Sequence, residues 1–472
     1  MVRGSAVRGG TAPRAMRGAP DRVVVVGGGI AGISAALRLA GARVPVTLLE
    51  TRKKLGGRAT SFDDVRTGDR LDNCQHIVMG CCTNFLDLLD RLGVAGKIAW
   101  SRSIWWVERG GRRSEMKPGL TPAPVHFAGS FLRAHFLNPE EKLAIAAAMH
   151  VITRARLGDL EGITFAAYLD RLEQPDGAIE KFWAPIVASA CNGWPDRVAA
   201  SEAAHVLQEG FLAHRDAARI GVPTVPLVDL YDEAARAITS AGGGVRLGVS
   251  AMRMGPNHVE TAGGERIEAR AVICAVPFER ALRIISPEVQ RADERFQRLG
   301  ALEHSPILGV HLVFDRPVLD LPHAALVGTR TQWVFRKDEA GMRVHAVVSA
   351  ADAWMELPEE EIVARVVEDV RACFPVARRA KLISGRPVKE KRATFLPTVA
   401  SIGARPATIG QSGVILAGDY VRTGWPSTME GATRSGALAA AAALGRDPAG
   451  AVVPPLAPAV LYRAARALAG VG

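Results

Sequence analysis

A glycine-rich turn near the start of the chain limits what this sequence can fold into. Residues 23–29 read VVVVGGG and Ile30, Ala31 and Gly32 follow, so Gly27-x-Gly29-x-x-Gly32 sits between a four-valine run and the helix-like ISAALRLA. A second short apolar run, VTLLE, closes on Glu50. This is the strand, tight turn, helix, strand and acid of a βαβ unit that binds a dinucleotide. Gly27 permits the turn, Gly29 lets the backbone approach a pyrophosphate, and Gly32 lets helix and strand pack closely. The helix N-terminus offers free N–H groups and a positive dipole end to phosphate. Glu50 is placed to accept hydrogen bonds from ribose hydroxyls. An acid there favours FAD or NAD over NADP, whose 2′-phosphate it would repel.

At 472 residues the chain exceeds one simple core, and two interleaved domains are expected. The predicted class is α/β (α+β overall), a Rossmann-like FAD-binding domain interleaved with a substrate domain of mixed sheet and helices. Residues 1–20 carry Arg3, Arg8, Arg14 and Arg17 without an acid and read as a disordered basic tail. The nucleotide domain is assigned residues 21–100, 227–280 and 397–445. The substrate domain is assigned 101–226, largely helical, and 281–396, sheet and helix. AVICAV at 271–276 is expected to return to the nucleotide sheet. The remainder, 446–472, ends in VLYRAARALAG, which has the pattern of a short basic amphipathic helix.

Lys and Arg number 59 against 48 Asp and Glu, a formal net charge of +11 that suits an anionic ligand or an anionic membrane surface. Neither a zinc-type Cys/His spacing nor aromatic–basic interleaving is present, so nucleic acid is not an expected partner. The spacing of Cys74, Cys81, Cys82, Cys191, Cys274 and Cys373 fits no metal site, and reduced thiols in a cytoplasmic protein are expected. No run of 18 apolar residues occurs, so no spanning helix is expected.

Two further glycine motifs stand at opposite ends of the chain. Leu55-Gly56-Gly57-Arg58 follows the ribose acid, and Gly418-Asp419, Gly424-Trp425-Pro426 and Glu430-Gly431-Ala432 follow the strand-like VILA. They resemble the GG-R segment and the closing FAD motif of FAD-dependent amine oxidases and carotene-type desaturases. The resemblance implies that Gly57 and Arg58 run beside the pyrophosphate and flavin, and that Gly418 and Asp419 meet the ribitol or pyrophosphate. It also implies that Pro426 and Met429 belong to a helix start aimed at the flavin pyrimidine edge, where a positive dipole end stabilises reduced flavin.

Other segments narrow the likeness. Leu71-Asp72-Asn73-Cys74-Gln75-His76 with Gly80-Cys81, Phe182-Trp183-Ala184-Pro185 with Cys191-Asn192, and Gly221-Val222-Pro223 with Pro226-Leu227 and Leu230 resemble segments of hydroxysqualene dehydroxylases. Cys74 stands where glycine is expected in that pattern, and Cys191 where leucine is expected.

This resemblance implies noncovalent FAD and reductive dehydroxylation of hydroxysqualene to squalene. The alternatives are a phytoene-type desaturase or amine oxidase-like enzyme and, in a different class, a non-catalytic flavin-binding partner. A dehydroxylase needs a long apolar tunnel and one polar group near the hydroxyl. Phe182, Trp183, Asn192 and Trp425 are assigned to that tunnel, with core packing the competing role of the two tryptophans. His76, with Gln75 beside it, is the candidate proton donor, against a purely structural role in the loop over the flavin. The implied partners are a long isoprenoid substrate, squalene-type synthases that supply it, and an anionic membrane surface. The expected location is cytoplasmic, peripheral to the inner membrane.

Overall fold

The computed structural model describes residues 21–471, so the expected basic tail lies outside the described residues. Five parallel strands form the nucleotide sheet, in the order 244–247, 46–50, 23–26, 271–274 and 415–416. Val23–Val26 is central and buried along its whole length. A parallel strand covered on both faces selects a continuous β-branched run rather than alternation. Ile30–Gly41 leaves this strand as a helix and packs on the closing helix Met429–Ala443. A Cβ on Gly436 would lie 2.2 Å from the Ala31 carbonyl oxygen, so the small residues of the closing helix permit this approach. Ser34 locks the pair by donating to the Thr433 carbonyl at 2.9 Å.

The second sheet has seven strands, in the order 382–395, 304–314, 343–349, 333–336, 323–327, 104–108 and 113–116. All neighbours are antiparallel except the pair 323–327 and 104–108. The basic stretch 381–396 is thus an edge strand, Leu382–Phe395, and lysine and arginine on an edge discourage pairing with other chains.

Helices Pro139–Arg154, Phe165–Arg171, Ala184–Cys191 and Ala200–Leu207 build the helical layer over that sheet. The first starts at a reciprocal cap: Glu141 N–H donates to Asn138 Oδ1 at 2.8 Å, and Asn138 N–H donates to Glu141 Oε2 at 2.9 Å. Two π-helical turns, Ile179–Trp183 and Gln208–Leu212, interrupt the layer. The terminal helix Val460–Leu468 docks on Pro139–Arg154 through buried Tyr462. Among the described residues no helix is long and apolar enough to cross a membrane.

Candidate active site

The three glycine motifs converge. Gly27 has φ +109°, and a Cβ there would fall 2.6 Å from the Ala275 carbonyl oxygen. A Cβ on Gly32 would fall 1.8 Å from the Gly27 carbonyl oxygen, so only glycine allows the helix to start this close to the strand. A Cβ on Gly57 would fall 2.9 Å from Gly29 Cα, so the second glycine turn lies directly against the first. The helix at Ile30 has no side-chain cap and no acid in its first turn, which leaves its N–H groups free for phosphate. Glu50 is oriented at the strand end by two backbone donors, Gly28 N–H to Oε2 at 2.6 Å and Arg52 N–H to Oε1 at 2.8 Å. These residues fit a dinucleotide without side-chain obstruction at the turn.

Arg58 joins the motifs to each other. Its guanidinium bonds Asp419 and donates to the Ala393 carbonyl at 2.7 Å, tying the nucleotide sheet to the basic edge strand. Burial alone would raise the Asp419 carboxyl. The Arg58 charge, with hydrogen bonds from Ser427 and Arg58, outweighs burial and holds it below the usual carboxylate range. The sequence reading missed Arg405, which is buried and donates to the carbonyls of Val421 at 2.8 Å and Trp425 at 2.6 Å. It also pairs with Glu202 at 3.3 Å. An isolated arginine outside any glycine motif gives no sequence signal of this role.

Next to the closing motif opens a cavity of about 480 Å³. Trp425, Pro426 and Met429 stand on its wall with Cys81, and Ile77, Ile104, Trp106, Phe131, Phe182 and Ile186 continue the lining. Val125, Phe127, Met149 and Ala465 of the terminal helix complete it. The lining is overwhelmingly apolar, as a site for a long hydrocarbon requires. Trp106 stacks on Phe136 at 4.8 Å between centroids, which fixes the ring that the cavity touches.

Of the four residues assigned to the tunnel, Phe182 and Trp425 line this cavity and the other two do not. Trp183 is fully buried in the helical core and donates its indole N–H to Gln174 Oε1 at 2.9 Å. Asn192 ends its helix in the left-handed conformation, φ 51°. Its amide donates to Ser305 O at 3.0 Å and Thr394 Oγ1 at 2.9 Å, and accepts from Ala350 N–H at 2.7 Å. Asn192 is therefore a staple between helix and sheet, since both donors of its amide and its oxygen are bonded to the protein.

His76 and Gln75 also stand off the cavity wall. His76 Nδ1 lies 3.0 Å from the Cys74 carbonyl oxygen, and burial pushes the imidazole down, so the ring is neutral near neutral pH. The Gln75 side-chain oxygen accepts from Lys337 at 3.2 Å. Lys337 also pairs with buried Asp72 at 3.1 Å. Burial tends to raise the Asp72 carboxyl, and Lys337 with the Leu227 N–H and Ser61 bonds outweighs it, leaving it depressed. Asp72 thus braces the loop between the two sheets. Cys74 is buried and tolerated where glycine was expected, and all six cysteines are free. Among the described residues no cluster of metal-ligating side chains occurs.

A glycine-lined nucleotide sheet joined to an apolar cavity fits an FAD-dependent oxidoreductase, and the family match shows that class. The model of the flavin containing amine oxidoreductase family matches residues 30–444, and the chain belongs to that family. The hydroxysqualene dehydroxylase of Sinorhizobium fredii is 27% identical over 456 residues, covering 90% of this chain and 99% of that protein. The 15-cis-phytoene desaturase of Narcissus pseudonarcissus is 26% identical over 472 residues, covering 91% and 80%. Among solved structures, a redesigned putrescine oxidase matches with a TM-score of 0.67 at 19% identity, covering 90% of this chain and 99% of that one. Cyclohexylamine oxidase from Brevibacterium oxydans matches with a TM-score of 0.62 at 16% identity, covering 90% and 99%. The solved structures share the fold.

Proposed function

We propose that this enzyme exchanges hydride between FAD and a long, apolar, isoprenoid-type chain. The observation that carries the reading is the cavity: about 480 Å³, walled by aromatic and aliphatic side chains, and opening beside the closing flavin motif. Desaturation of a carotene precursor and reductive dehydroxylation of hydroxysqualene are two forms of this chemistry, and relatives of both kinds resemble the chain at similar identity. When bound, FAD supplies a two-electron hydride donor or acceptor.

The chain's residues hold and shield it. Gly27, Gly29 and Gly32 bring the helix N-terminus to the pyrophosphate, and Glu50 takes the ribose. Gly57 and Arg58 would lie along its pyrophosphate, and Gly418 and Asp419 would meet its ribitol side. Pro426 and Met429 would set the start of the closing helix beside its flavin ring. Phe182 and Trp425 exclude water from the hydrocarbon.

A substrate this apolar enters from a bilayer. Leu120, Leu132 and Leu143 are exposed on or beside the segments that bound the cavity, as are Val460, Leu461 and Leu468 on the terminal helix. Lys142 and Arg463 accompany them and suit anionic headgroups. The proposed setting is therefore the cytoplasmic face of a membrane, downstream of a squalene-type synthase.

Anaerobic assays separate the forms of the reaction. Pre-reduced enzyme that converts hydroxysqualene to squalene, with stoichiometric flavin reoxidation, establishes dehydroxylation. Oxidised enzyme that desaturates phytoene establishes the other direction. Turnover of small amines with neither isoprenoid consumed refutes the isoprenoid reading.

A further inference from the structure

The cavity wall carries few polar side chains, and a hydrogen-bond account separates them. Thr153 donates to Met149 O at 2.7 Å. Ser189 donates to Pro185 O at 2.6 Å and accepts the Trp333 indole N–H at 2.6 Å. Thr428 accepts from Gly431 N–H at 3.1 Å and caps its own helix. Glu430 accepts from Asn84 Nδ2 and from Phe85 N–H, each at 2.8 Å, and so caps the helix Thr83–Arg91. His150 bonds Arg154 at the outer rim. Among the hydroxyl, carboxyl and imidazole groups on this wall, Glu209 alone has neither a hydrogen bond nor an ion pair within the described residues.

Its position is fixed by its neighbours. Glu209 lies in the π-helical turn Gln208–Leu212, and such turns re-aim a side chain by inserting one residue into the helix. Gln208 anchors the turn by donating to Ile152 O at 2.7 Å and Ala155 O at 3.0 Å. Gly210 next to it leaves room, since a Cβ there would lie 3.3 Å from Met79 Cε. Glu209 lines the same cavity as Cys81 and Trp425, which pack together beside the closing motif. Burial raises this carboxyl, and the charges of Arg466 and Arg434 partly offset that.

An unpaired polar group in an apolar wall is costly unless the ligand satisfies it. We propose that Glu209 is the residue that selects an oxygen-bearing substrate: its carboxyl group hydrogen-bonds the hydroxyl of a long isoprenoid alcohol. This rests on the isoprenoid reading and moves weight within it. A pure hydrocarbon, the substrate of a desaturase, leaves Glu209 unsatisfied, whereas an alcohol satisfies it. Rejection of a ligand that leaves a buried polar group unpaired is a strong source of specificity.

The test is binding to the FAD-loaded enzyme, read from quenching of the tryptophans on the cavity wall, without turnover. The probes are farnesol, the hydrocarbon farnesene and the amine farnesylamine. The expected result is that wild type prefers farnesol to farnesene by roughly 10-fold, about one hydrogen bond, and that Glu209→Leu abolishes the preference while farnesene binding is kept. Glu209→Gln, which retains a hydrogen-bonding amide, keeps part of the preference. An equal farnesol preference in wild type and Glu209→Leu overturns the assignment, and so does tighter binding of farnesylamine than of farnesol. Binding of none of the three overturns the isoprenoid reading itself. Flavin content and far-ultraviolet circular dichroism of each variant establish that the fold is intact.

Discussion

Around Gly27, Gly29 and Gly57 the chain positions a ligand with its backbone, whereas around Phe182, Trp425 and Glu209 it does so with side chains. In the first region a Cβ added at Gly27, Gly32 or Gly57 collides with main-chain atoms. In the second, the wall is a set of apolar side chains contributed by segments far apart in sequence, from Ile77 to Ala465. A backbone cradle fixes one cofactor and tolerates almost no variation. A side-chain wall can be recut, which is how one fold hosts amines, carotene precursors and alcohols in different proteins. The two regions should therefore fail differently when altered.

The largest effect is expected at their junction. Arg405→Met removes the donor to Val421 and Trp425 and strands Glu202, and breaking a buried pair of this kind costs about 3–5 kcal/mol. Thermal melts should show a large fall with loss of yellow colour. An unchanged melting temperature would mean that the closing turn does not depend on this side chain.

Gly32→Ala tests the backbone cradle alone. Overpacking at 1.8 Å from the Gly27 oxygen should cost about 3 kcal/mol and deplete bound FAD, measured by absorbance of purified protein. Full flavin occupancy would show that the helix start can retreat, and the contrast with the cavity would weaken.

Ile186→Trp tests the cavity alone. It fills part of the wall, so substrate binding should fall by about 10-fold or more with FAD content unchanged. Loss of flavin in this variant would join the two regions into one cooperative unit.

His205 ties the regions through pH. It lies edge-on to Trp425 with centroids 5.0 Å apart, and burial, then the Arg434 and Arg405 charges, push it down to about 4. Its unfolded value is about 6.5, so between those values the unfolded chain binds the extra proton. Stability is then full above about pH 6.5 and is lost as pH falls toward 4. Melting temperature measured across that window should decline, and His205→Gln should flatten the decline. A variant that follows the wild-type curve would assign the acid sensitivity elsewhere.

The smallest effect is expected at His76. With a neutral ring off the cavity wall, His76→Ala should change substrate turnover by less than about 10-fold, below the usual contribution of a general acid. A loss near 100-fold with flavin retained would restore His76 as the proton donor.

Much of the nucleotide region could be read from the chain because its signals are local. The turn at Gly27 needs positive φ, the approach at Gly32 forbids a Cβ, and the acid at the end of the second strand sits one βαβ unit away. Each constraint is met by residues within about one supersecondary motif. The apolar strand at 271–274 was legible for a related reason, since burial on both faces leaves a continuous apolar run.

What the sequence determined by itself was therefore the nucleotide fold and its ligand class, because backbone geometry restricts residue type position by position. The tertiary structure decided the rest. Trp183 and Phe182 are adjacent, yet one is core and the other cavity wall, because successive helical residues point about 100° apart and meet different neighbours. Asn192 is a staple and Glu209 an unpaired acid for the same reason: whether a polar group is satisfied depends on atoms brought to it from over 100 residues away, or on none being brought at all. Hydrogen bonding of this long-range kind is a property of packing in three dimensions, unlike the local Asn138–Glu141 cap, which a short spacing encodes.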